Sequence, residues 1–121
     1  MKKYWIPVAI FYIMILIGSS IPGKHLKKIA EFTPDKLFHA LEYFVFGYLV
    51  IRWLVNDYSS TQKSKLIGIT LLVGAFAGFS DELYQQLTPG RFPDVWDWAL
   101  DFTGVVLSIP FFFWTRKYFS F

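Results

Sequence analysis

Residues 65–85 read KLIGITLLVGAFAGFSDELYQ. As a helix, the apolar run 66–79 would rise only about 21 Å, short of the roughly 30 Å hydrocarbon core of a bilayer. A helix that crosses must therefore continue through Ser80, Asp81, Glu82, Leu83, Tyr84 and Gln85. It then carries two carboxylates below the far surface. Counted from Lys65, Asp81 lies about 24 Å along the axis.

Three further apolar blocks surround this one, at about 4–21, 36–55 and 97–115. With the third block extended to 65–87, the pattern predicts an all-α, integral membrane bundle of four transmembrane helices forming one domain over residues 1–121. Composition supports this: 55% of the 121 residues are hydrophobic and 21% aromatic, with a mean hydropathy of +0.40. A soluble domain of this length cannot hide so much apolar surface, whereas lipid solvates the outside of such helices. The net charge is +3, but the Lys and Arg residues flank the apolar blocks, which suits lipid headgroups and not nucleic acid. With no Cys, disulfides and thiolate metal sites are excluded. Lys2 and Lys3 before an apolar run resemble a secretory signal. The run is long, however, holds Trp5 and Tyr12 and lacks an Ala-x-Ala site, which favours a retained helix.

Pro22-Gly23 ends the first block, and Thr33 or Asp35 is a candidate cap for the second. The stretch 26–32 fits either a short interfacial helix or an irregular segment. Asn56-Asp57-Tyr58-Ser59-Ser60 reads as a turn, Pro89-Gly90 as a break, and Pro93-Asp94 as the entry to the last helix. With the N-terminus inside, the inner segments hold Lys2, Lys3, Arg52, Lys63, Lys65, Arg116 and Lys117, seven positive charges against five outside (Lys24, Lys27, Lys28, Lys36 and Arg91). This bias places both termini in the cytoplasm. Trp5, Trp53 and Trp114 then lie near the inner interface, and Trp96 and Trp98 near the outer one, where the indole N–H stays wet.

Asp81 does not stand alone at its depth. Counted back from Thr115, Asp101 lies about 21 Å along its helix; counted back from Val55, His39 lies about 24 Å along its own. Glu42 is about one turn deeper. A charged side chain at the centre of a membrane helix costs about 2.5–3.5 kcal/mol on insertion scales, so these groups should face one another or a wet cavity. Their spacing agrees. Gly74, Gly78, Asp81 and Gln85 share one helix face; Asp97, Asp101, Gly104 and Ser108 repeat that spacing; His39, Tyr43 and Gly47 form a third stripe. Each stripe is small on its inner part and polar on its outer part. Small residues let helix backbones approach, and Gly74-x-x-x-Gly78 is a contact pattern of membrane helices. The helices are thus expected to pack tightly near the cytoplasm and to open into a polar cup outside. The competing reading makes the glycines ordinary packing, Tyr43 an interfacial anchor, Asp35 and Asp94 caps, and the charges a structural network.

The same residues carry a resemblance. Asp35-Lys36-x-x-His39-x-x-x-Tyr43-x-x-x-Gly47 resembles the first signature of VanZ-like membrane proteins. Asp81-Glu82-x-x-Gln85, then Pro89-Gly90-Arg91, then Asp97, Asp101 and Gly104 resemble the second. The match covers about residues 35–108; the first helix fits by position only. Where this chain has Asp101 the family often has Asn, and where it has Ser108 often Gly. The extra carboxylate adds negative charge to the site. The resemblance implies a bacterial cytoplasmic-membrane protein linked to the cell envelope, in a family named for a protein associated with teicoplanin resistance. It supplies no reaction.

Three function classes follow. In the first, Arg91 and Lys36 at the outer mouth hold an anionic headgroup or peptide carboxylate of a membrane lipid, cell-wall precursor or glycopeptide. Asp35, His39, Tyr43, Asp81, Glu82, Gln85, Asp97 and Asp101 complete the ligand-binding cluster. In the second, His39 is a general base and the carboxylates hold a hard cation such as Mg²⁺ for lipid phosphate or ester hydrolysis. No nucleophile motif, phosphate-cradling loop or two-His spacing supports it. In the third, the charges are a proton or ion path through Glu42, but the Gly-packed inner halves offer no continuation. The first is the reading adopted, with no resident cofactor, no metal and no nucleic-acid partner; oligomeric state is not legible.

Overall fold

The computed structural model describes residues 3–19, 35–85 and 95–118, and the side chains within those ranges except at positions 19, 35–39, 85 and 95–97. These residues form four helices and no strand: α1 (Trp5–Ser19), α2 (Asp35–Asp57), α3 (Lys63–Gln85) and α4 (Val95–Tyr118). The expectations at Pro22-Gly23, 26–32, Thr33, Pro89-Gly90 and Pro93-Asp94 lie outside the described residues.

The helix ends follow local chemistry. The turn expected from Asn56 begins two residues later, because α2 continues through Asp57. The Asn56 side-chain amide donates back to the Arg52 carbonyl at 2.8 Å, and the Tyr58 N–H donates to the Leu54 carbonyl at 2.9 Å. Bonds of that reach prolong a helix. The Gln62 carbonyl then accepts from the N–H groups of Lys65 and Leu66 and opens α3. In α4, Arg116 and Lys117 occupy the last turn, where cations complement the helix dipole. Pro110 stands inside α4. An interior proline costs a water-soluble helix about 3 kcal/mol and is better tolerated in membrane helices.

Packing is asymmetric. The most extensive contact is between α2 and α4, α3 touches all three others, and α1 packs on α2 and α3 without reaching α4. Glycine explains the closeness of α2 and α4. A Cβ built on Gly104 would collide with the Ala40 carbonyl oxygen and lie 2.9 Å from the Phe44 nitrogen, both backbone atoms. One built on Gly47 would collide with Ser108 Oγ and lie 3.0 Å from Val105 Cα. Gly74 faces the same Val105 from α3. The glycine stripes are therefore the seams of the bundle.

Val105 in the seams and Val50, Ile51 and Phe112 below them are fully buried, and Tyr48 sets its ring edge-on to Phe112 with centroids 5.3 Å apart. The Tyr48 hydroxyl and Thr115 Oγ1 are 2.9 Å apart across the α2–α4 seam. Tyr48→Phe should cost about 0.6 kcal/mol, the usual size of a polar contact between membrane helices. Unfolding of the purified variant in bicelles measures it; a loss above about 2 kcal/mol would mean that the hydroxyl holds more than this one bond.

The outer surface is apolar. Ile10, Ile13, Met14, Ile17, Phe79, Leu107 and Trp114 are exposed, as are Leu72 at 72% and Phe76 at 74%. Soluble monomers rarely show continuous apolar surface on this scale. α3 and α4 are long and apolar enough to cross a membrane, over Lys63–Tyr84 and Trp98–Tyr118; α1 is apolar over the shorter stretch Trp5–Gly18.

Candidate functional site

The buried carboxylates of the described chain gather at one end of the bundle, where the first half of α2, the last turns of α3 and the first half of α4 meet. Their convergence follows from the seams. Gly104 against Ala40 fixes α4 on α2, and Gly78 lets α4 lie on α3, with a Cβ there 3.2 Å from Trp98 Cδ1 and 3.5 Å from Asp101 Oδ2. The Asp101 carboxylate thus rests beside Gly78, one turn below Asp81. Both aspartates are 1% exposed, and Glu82 is also buried.

From α2, Tyr43 enters the same space. Its side chain is fully buried, and its hydroxyl donates to the Ala77 carbonyl at 3.3 Å. Asp81, Asp101 and Glu42 all lie within electrostatic reach of that hydroxyl. This placement excludes Tyr43 as an interfacial anchor, because such a residue keeps its hydroxyl in water. The ring also packs edge-on against Phe46, with centroids 5.9 Å apart.

Two contributors were not legible in the sequence. Tyr12, inside the apolar run of α1, has its hydroxyl 2.8 Å from Ser80 Oγ, and Ser80 donates in turn to the Ala77 carbonyl at 2.9 Å. Tyr12 carries the one hydroxyl among residues 5–18, and that signal gives no direction. Trp98, expected as a wet interfacial ring, instead donates its indole N–H to the Ala75 carbonyl at 3.2 Å and stacks on Phe102 with planes 12° apart. The small side chain of Ala75 and the bare backbone of Gly78 leave room for that ring on α3.

Of the sequence-predicted cluster, the structure brings together Tyr43, Asp81 and Asp101, with Glu82 buried one residue on. Asp35, Lys36 and His39 lie in α2, Gln85 in α3 and Asp97 in α4, but their side chains are outside the described residues, as is Arg91 entirely. The described part of the cluster is closed in by protein and does not line an open cup. Among the described residues no group of three or more His, Asp or Glu side chains is arranged to hold a metal ion. Chemically, the cluster offers buried carboxylate oxygens and a phenol held by a backbone acceptor. Such groups orient a neighbouring cation or accept from ligand hydroxyls and amides.

Among known proteins, residues 2–116 match the family described as VanZ/LLP1. No curated protein and no solved structure gives a significant match.

Proposed function

Because the chain belongs to the VanZ/LLP1 family, we propose that it crosses the bacterial cytoplasmic membrane four times and binds an envelope ligand through the polar end of the bundle. Both termini are cytoplasmic in this reading. The ligand is an anionic lipid headgroup, a lipid-linked cell-wall precursor or a glycopeptide such as teicoplanin. The carrying observation is that Tyr43, Asp81 and Asp101, from three different helices, are buried together while the outward faces of those helices are apolar.

Intramembrane ionisable groups are costly, so their retention in one cluster favours a functional role. The acids suit the positioning of cations better than direct contact with an anion. Lys36 and Arg91 are the cations that the sequence places nearest to this end, and Arg presents a planar fork that matches a carboxylate or phosphate. In this arrangement Asp81 and Asp101 hold the cations in place, and the cations hold the ligand.

The test uses the purified full chain in detergent. Lipid-linked precursor and teicoplanin are each expected to raise the Tm of the wild type in a dose-dependent way, as any ligand of the folded state does. Arg91→Ala should fold with an unchanged ligand-free Tm and lose that rise. Retention of the full rise in the variant, or no rise with either compound in the wild type, counts against the reading.

A further inference from the structure

The opposite end of the bundle differs from the polar cluster in its charge. The start of α1, the end of α2, the start of α3 and the end of α4 come together there. Among the described residues that end holds Lys3, Arg52, Lys63, Lys65, Arg116 and Lys117, with Asp57 as its one acid. Two clefts reach it. One, of about 650 Å³, runs between α1, α2 and α3; its walls include Trp5, Ala9, Tyr12, Phe46, Trp53 and Phe76. The other is smaller, about 320 Å³, and is lined by Lys3, Tyr4, Pro7 and Arg52. Along the helix axes, Lys3 and Arg52 of the smaller cleft lie within one turn of Trp5 and Trp53, which mark the basic end of the larger one.

We propose that the apolar cleft holds one acyl chain of an anionic phospholipid, whose phosphate rests on Lys3 and Arg52. Charge selects the headgroup. Six cations against one acid leave this end strongly positive, and an anionic phosphate matches it. The Arg52 guanidinium is already placed, lying 4.6 Å from the centroid of the Tyr4 ring, so little side-chain freedom is lost when it forks onto a phosphate. Shape selects the tail. From Trp5 to Tyr12 the cleft follows about 10 Å of helix, roughly a third of the hydrocarbon thickness, and it is open along one side. The gap between the three helices stays open because Ala9 and Ala77 in its walls are too small to fill it. Trp5 and Trp53 stand at the basic end of the apolar cleft, the depth at which indole rings settle between headgroup and chain.

The experiment is native mass spectrometry of the full chain released from neutral detergent, titrated with phosphatidylglycerol or phosphatidylcholine of the same acyl chains. The wild type should hold phosphatidylglycerol at least tenfold more tightly. Each basic residue near a membrane surface contributes about fivefold in affinity, so Lys3→Gln with Arg52→Gln should weaken phosphatidylglycerol binding about twenty-fivefold and weaken phosphatidylcholine, whose choline cation offsets its phosphate, by much less. Ala9→Phe, which fills the cleft, should weaken both lipids. Glycerol 3-phosphate should not compete, because it has no chain to bury. Equal affinity for the two lipids, full binding by the doubly substituted chain, or displacement by glycerol 3-phosphate would overturn the proposal. If the doubly substituted chain does not fold, Ala9→Phe decides: undiminished binding overturns the site. The teicoplanin or precursor shift on the same proteins separates this site from the one at the polar end, since a failed shift there leaves the phospholipid result standing.

Discussion

Gly104→Ala is expected to destabilise the protein by about 3 kcal/mol, the upper end of the range for overpacking a close contact. A methyl group at position 104 meets the Ala40 carbonyl oxygen and sits 2.9 Å from the Phe44 nitrogen. Both belong to the α2 backbone, so no rotamer change relieves the clash and the two helices must separate. Separation loosens the largest contact in the fold and shifts Tyr43 and Asp101 relative to each other. Gly68→Ala is the matched control. Nothing lies within 4 Å of a Cβ there, so the substitution should be neutral or gain about 0.5–1 kcal/mol from helix propensity. Equilibrium unfolding of both variants in bicelles, followed by circular dichroism, gives the comparison. Equal stability of the two would show that α2 and α4 do not cross at Gly104.

Tyr43→Ala is the second large effect, about 4 kcal/mol, as for other buried aromatic truncations. The side chain is 0% exposed and lies where α2, α3 and the site meet, so its loss opens a cavity next to Asp81 and Asp101. Tyr43→Phe separates the ring from the hydroxyl. It keeps the packing on Phe46, removes the bond to the Ala77 carbonyl and should cost about 1 kcal/mol. If the hydroxyl helps to set the carboxylates for the ligand, Tyr43→Phe also loses most of the ligand-induced rise in Tm. A folded Tyr43→Phe with the full rise would make Tyr43 a packing residue only.

Much of the bundle was legible from apolar run length. The 66–79 run is too short for a bilayer, so α3 had to extend into Ser80–Gln85, and it does. The periodic glycines predicted the seams, because a residue without a side chain at helical spacing has few uses other than close approach. The ends were less legible. Asn56 reads as a turn former by type, yet its amide caps the last turn of α2. Residue type gives the bonding groups but not the partner, and an amide serves a turn or a helix end equally well.

The residues of the site were legible only as a depth. Helical rise alone puts Asp81 and Asp101 at one level, since distance along an axis depends on count and not on neighbours. Which side chains touch depends on how far each helix is rotated and how closely it packs, and those are properties of surfaces in contact. Hence the sequence by itself determined the helices, their apolar exteriors and the family. Only the tertiary structure decided that Tyr43 is buried with its hydroxyl on Ala77, that Trp98 bonds to α3, and that Tyr12 of α1 reaches Ser80. Each of those contacts joins residues at least 23 positions apart in the chain, beyond the reach of any local pattern.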